Sequence, residues 1–184
     1  YKLTINGTAQ FSIANRTTNV GNGGIVINST GDITGAGATT VLTTTGGITG
    51  IGNAGITSTI VDIRVQTTVG QNITSDGFFR RLTINANANN TGTIIIENTG
   101  TLAGTATLTQ AANSTLNINV PAANFTLTTL NASASGNVEN YGANAAQTIR
   151  ASTYNDLTAS GTGTKTLGGA TTVNRNLTIS SATT

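Results

Sequence analysis

Two short segments, NDLTAS at 155–160 and RNLTIS at 175–180, are copies of one strand-like pattern, and Leu177 follows Leu157 by twenty positions. A Gly- and Thr-rich return, GTGTKTLGGATT at 161–172, fills the interval. Self-similarity at such a period is the mark of a repeat architecture and constrains the fold more than any single residue does. Related phrases recur upstream. Gln147-Thr148-Ile149 leads to Tyr154 and Leu157, and Gln71-Asn72-Ile73 leads to Phe78 and Leu82, the aromatic following the glutamine by seven positions each time. Leu3-Thr4-Ile5-Asn6 returns letter for letter at 82–85, and the aromatics Tyr1, Phe78 and Tyr154 follow one another at nearly equal intervals. The spacing predicts one continuous repeat domain over 1–184, divided as 1–77, 78–153 and a partial 154–184, and reads as a segment of a longer exported polypeptide.

No stretch carries apolar residues at helical spacing, and the abundance of Thr, Asn and Gly opposes helix throughout. Short alternations bounded by Gly, Asn or Ser recur instead, among them KLTIN at 2–6, TIIIEN at 93–98, TLNINV at 115–120 and NVENY at 137–141. Two all-β architectures accommodate them. Tandem small β-sandwich domains need a core about 10 Å thick filled by large side chains, and this chain offers only 4 Phe and 3 Tyr. A parallel β-solenoid (β-helix) needs one or two aliphatics per strand, with Gly and Asn at corners where φ turns positive. The solenoid, at roughly 20 residues per coil, is the expected fold, and the sandwich string is the alternative. Leu82, Ile84, Leu157, Leu177 and Ile179 are the expected inward residues. Pro121, the one proline, suits a strand end or corner.

Charge is sparse: 8 Lys+Arg against 6 Asp+Glu, or 8% of the residues. The cations are scattered, with only Arg80 and Arg81 adjacent, which argues against a nucleic-acid partner. No run of about 18 apolar residues is present, so direct membrane insertion by a helix is not expected. Cysteine is absent, which rules out a disulfide scaffold and leaves the redox compartment open.

The acids Asp32, Asp62, Asp76, Glu97, Glu139 and Asp156 lie more than a dozen positions apart along the chain. Stacking could bring Asp62 and Glu139 to similar places in the repeat, but several coils apart, too far for joint acid–base work. Without His or Cys no Ser/His or Cys/His nucleophile system exists. The expectation is therefore a non-enzyme with no catalytic, cofactor-binding or metal-binding residues. GNGG at 21–24 and GIGNAG at 50–55 superficially suggest phosphate loops, yet no helix follows either, and they read as corners. Thr-x-Thr pairs at 43–45, 91–93, 107–109, 126–128 and 162–164 invite an ice-binding reading. Such a face needs the motif once per coil at constant spacing, and here the spacing is irregular; high β propensity and outward ladders account for the threonines without it. Asn-x-Thr/Ser sequons fit an extracellular surface without proving one.

The segment AAQTIRASTYNDLTASGTGTKTLGGATTVNRNLTIS at 145–180 resembles repeats of very large secreted surface proteins of Bacteroidota. It keeps their Gln147-Thr148-Ile149, Tyr154, Leu157-Thr158, the 161–167 turn, Thr172-Val173 and Asn176 to Ile179, and departs at Asp156 and Arg175. The stretch GGIVINSTGDITGAGATTVLTTTGGITG at 23–50 resembles instead the repeats of filamentous-hemagglutinin adhesins, which are right-handed β-helices. Both resemblances imply an extracellular or cell-surface structural and adhesive protein, acting as stalk or fibre unit. They imply end-to-end contact with other copies or adjoining repeats, and host or surface glycans and proteins as further partners. Neither supplies catalytic residues. An ice-binding protein and a polysaccharide-active β-helix enzyme are the rival readings.

Overall fold

The computed structural model describes residues 1–6, 9–14, 16–27, 32–36, 40–44, 46–49, 61–65, 71–74 and 76–181. The chain winds as a β-solenoid with about 21 residues per turn, and every strand pairing among the described residues is parallel. Parallel stacking of this kind excludes the sandwich alternative, whose sheets are built from antiparallel strands. The interval between Leu157 and Leu177 is one turn, for the two leucines are register partners on successive coils.

Each coil carries up to three strands, so the stack has three sides. The first side runs through Lys2–Ile5, Gly24–Ile27, Ile48–Thr49, Gln71–Thr74 and Ala88–Asn90, then residues 108–110 and 129–131. The second side comprises residues 76–79 and 93–96, Thr115–Ile118, Val138–Tyr141, and residues 156–159 and 176–179. The third side comprises Thr17–Val20, Thr40–Thr44, Val61–Val65, and residues 81–84, 101–103 and 125–127. Gln10–Ala14 with Asp32–Ala36, and Gln147–Ile149 with Lys165–Leu167, form separate two-stranded pairs.

Period-2 alternation sends every second side chain inward, where it meets its register partner one coil away. Ile25, Ile48 and Ile73 form one such ladder, and Ile63, Leu82 and Leu102 another, all fully buried. On the second side Ile94 and Leu116 stack, as do Ile96 and Ile118. A small side chain in each place suffices because the same contact repeats up the stack, so few aromatics are needed. Phe125, Tyr141 and Tyr154 gather in one region of the late coils, the Tyr141 ring 6.0 Å from Phe125 and 6.4 Å from Tyr154.

Corners use the residues expected of them. Gly24 (φ 71°), Asn113 (φ 61°) and Gly136 (φ 77°) take left-handed backbone at turns. The GNGG stretch is such a corner, whereas GIGNAG lies outside the described residues. Pro121 follows Thr115–Ile118 and precedes a short 3-10 turn, Ala122–Asn124. The corner lengths vary, so the repeats of LTI do not occupy one side: Leu3 stands on the first, Leu82 on the third and Leu177 on the second.

Two of the five expected inward residues are exposed. Leu82, Ile84 and Leu157 are buried, but Leu177 is 57% and Ile179 75% exposed. Both occupy inward register positions, paired with Leu157 and Ala159. No further coil lies over them among the described residues, and so their inward-type faces meet solvent.

Candidate functional site

The uncovered end of the stack is the most distinctive surface of the molecule. Residues 176–181 pair with the preceding coil on one edge, and Lys165–Leu167 pairs with Gln147–Ile149 on one edge. Their other edges carry no strand among the described residues, leaving a row of backbone donors and acceptors of the sort that templates strand addition. Beside this edge lies an open basin of about 390 Å³ whose apolar floor includes Ile149, Leu157, Leu167, Val173, Leu177 and Ile179. Leu167, like Leu177, is 57% exposed, while its register partner Ile149 is buried.

The rim carries little charge. Lys165 turns its ammonium back onto the carbonyls of Ala143 at 2.6 Å, Ala145 at 3.1 Å and Thr162 at 3.3 Å, and burial lowers its pKa. Arg175 and Asp156 form an ion pair on the outer face, and Asn176 donates to the same carboxylate through its amide and side chain at 3.1 and 2.9 Å. These hydrogen bonds, Arg175's first, hold the Asp156 carboxyl below its ordinary range. The basin therefore offers apolar surface and free backbone groups, chemistry suited to a further strand.

The opposite end differs. Ile5, Ile13 and Val20 on the first coil are 3–6% exposed, and Leu3 and Phe11 are half-buried, so its inward residues are more covered than Leu177 and Ile179. The coil steps also differ in length. At the start of the chain Lys2 pairs with Gly24 and Thr17 with Val41. At its end Gln147 pairs with Lys165 and Asp156 with Asn176, and both of these steps are shorter than either of the first two.

The repeated glutamine and tyrosine singled out in the sequence have interior roles. Gln147, 3% exposed, donates to the carbonyls of Ile118 (2.8 Å) and Val120 (2.7 Å) and accepts from the Ala143 amide (3.0 Å), tying three stretches of backbone at a corner. Tyr154 donates to the Arg150 carbonyl at 2.8 Å and its hydroxyl lies 3.0 Å from that of Tyr141.

Stacking brings together two acids that are separated in sequence. Glu139 pairs with Leu157 and Val138 with Asp156, so Glu139 and Asp156 occupy neighbouring coils. Glu139 was legible only as one of six scattered acids; the structure places it wholly inside, with no exposed surface. Burial first, and the nearby Asp156 second, push its pKa up to about 8. Carboxylates with divergent pKa values are also an acid–base signature, but this carboxyl is enclosed and cannot face a substrate. Asp62 sits on the third side and Glu139 on the second, so their supposed alignment does not arise.

Among the described residues the Thr-x-Thr pairs do not share a face, and Thr45 lies outside those residues. Residues 107–109 belong to the first side, residues 126–127 of the 126–128 pair to the third, and 162–164 to a turn; Thr44, between the 43–45 pair, is buried. The outer surface carries amide and hydroxyl ladders instead, such as Asn140 Nδ2 to Asn117 Oδ1 at 3.2 Å and Ser160 Oγ to Asn140 Oδ1 at 2.7 Å. Among the described residues no group of three or more Asp, Glu, His or Cys is placed to hold a metal ion, and no helix is long and apolar enough to cross a membrane. Comparison of the chain with protein-family models, with curated proteins and with solved structures found no match.

Proposed function

We propose that this chain is a structural segment of an extracellular bacterial surface protein, a stalk or fibre unit whose uncovered end carries the next coil of an adjoining repeat. The observation behind this reading is the basin: Leu177 and Ile179 keep the inward register of the stack while lying 57% and 75% exposed. Covering a side chain of this size is worth about 1.5–3 kcal/mol, and a free parallel edge beside it adds backbone hydrogen bonds. An adjoining repeat fits this end better than the first coil of a second copy. The last coil steps are shorter than the first, so corners of a second copy would fall out of line. The resemblance of 145–180 to secreted surface repeats supports an exported location. Adhesion is the second role, and the outward Asn and Ser ladder is the surface we assign to it.

The test is Leu177→Lys with Ile179→Lys in the native protein, imaged by electron microscopy. Rods interrupted at this coil are expected. Unbroken rods of normal length would overturn the role of the basin, and end-to-end rods formed by the isolated 184-residue chain would put a second copy there instead.

A further inference from the structure

Interior ladders of this protein are largely aliphatic, and one corner departs from the pattern, where Gln110, Asn137 and Glu139 lie fully buried. Glu139 interrupts the column Ile94, Leu116, Glu139, Leu157. Asn137, Glu139 and Tyr141 alternate with less buried neighbours, so their side chains enter the coil from the same face of one strand. Asn137 reaches the coil below, its Nδ2 donating to the Gln110 carbonyl at 3.3 Å. The Gln110 side chain is oriented by two donors to its Oε1, Asn90 Nδ2 at 2.8 Å and Ser114 Oγ at 3.3 Å.

Four polar atoms in this corner have no hydrogen-bond partner among the described residues: Gln110 Nε2, Asn137 Oδ1 and both Glu139 carboxyl oxygens. Leaving such atoms unpaired in a core is costly. As a carboxylate, Glu139 would make three acceptors against the one donor group of Gln110. As a neutral acid it supplies a second donor and retains one acceptor, and the count balances. No cation among the described neighbours is available to an ionised Glu139. Arg175 is held by Asp156, Lys165 by three carbonyls, and Arg150 by the Thr128 carbonyl and the Phe125 ring. The hydroxyls of Tyr141 and Tyr154 serve each other and Arg150.

We propose that Glu139 is a proton-dependent latch between coils: a neutral acid enclosed in the column between Leu116 and Leu157, whose deprotonation puts an unpaired charge into that column and loosens the stack there. The ionisable groups around it are Asp156 with its partner Arg175 on the next coil and the tyrosines 141 and 154. Of these, Asp156 has its pKa lowered and both tyrosines have theirs raised, so none of them changes charge between pH 5 and 9. Carboxyl-to-amide exchange keeps the size and neutral polarity of the side chain but abolishes the titration.

The experiment follows the denaturation midpoint of the native protein and of Glu139→Gln from pH 5 to 9. The wild-type midpoint is expected to fall from pH 5 to about 8 and to level off above that, while that of E139Q stays level throughout; Lys165 is common to both and cancels. Infrared spectra of the wild type at pH 7 are expected to show a protonated carboxylic acid band that disappears by pH 9. An equal fall in E139Q, or no such band at pH 7, would overturn the latch. The infrared arm uses wild-type protein and decides the matter even if the variant folds poorly.

Discussion

Leu157 and Leu177 are register partners on successive coils, yet one is 1% and the other 57% exposed. Side-chain type, side of the stack and facing are the same for both, and the difference is that no further coil covers Leu177 among the described residues. Leu157→Ala should therefore destabilise the chain by about 2–5 kcal/mol, the range for emptying a packed leucine site. Leu177→Ala in the same chain should change it by less than about 0.5 kcal/mol, as at an exposed position. Urea titration of the two variants checks the contrast.

The tyrosine pair predicts a second effect. Tyr154→Phe removes the donor to the Arg150 carbonyl and one partner of the Tyr141 hydroxyl, both in the interior. The expected cost is about 1–3 kcal/mol. Burial pushes Tyr141 up to about 12 and raises Tyr154 further. A folded pKa above the ordinary 10.0 means that stability from these hydroxyls is intact below that pH and is lost as pH climbs through the folded value. Absorbance titration should show their ionisation only at strongly alkaline pH, together with unfolding.

Gly104 should tolerate no side chain. Its φ of 133° lies in a region closed to L-residues, and a Cβ there would collide with the Ile84 carbonyl of the coil below. Gly104→Ala should cost at least about 2 kcal/mol, more than the usual strain of a positive-φ residue alone. Thermal melting read by circular dichroism measures it.

Acid pH acts through Asp156. Its folded pKa is depressed, chiefly by the hydrogen bond from Arg175, so the stability it contributes is present above the ordinary 3.8 and fades as pH falls through the lower folded value. Arg175→Ala should flatten the acid limb of the stability curve and leave the limb above pH 5 unaltered. A series of melts from pH 2 to 5 tests this.

The period, and the parity of aliphatic strands such as 81–84, were legible because they follow from local chemistry. The interval between Leu157 and Leu177 is one turn, the left-handed corners at Gly24 and Asn113 use the two residue types that tolerate them, and Pro121 ends a strand. The three-sided arrangement was not legible, because it depends on corner lengths that vary from coil to coil. Identical LTI triplets consequently landed on three different sides. Glu139 was hidden for a related reason. In NVENY the one aliphatic, Val138, suggests the inward parity, but Tyr141 is the residue that enters the core and carries Asn137 and Glu139 with it. The basin could be read only in part: Leu177 and Ile179 were recognised as inward, and their exposure depends on what lies above them.

The most direct test of a stacked structural rod is cryo-electron microscopy of the native protein around this segment. An unbroken rod with an axial strand spacing of about 4.8 Å, running on past the coil of Leu177 and Ile179, is the expected result. Globular beads separated by linkers, or a rod that stops at this coil with the basin open to solvent, would contradict it.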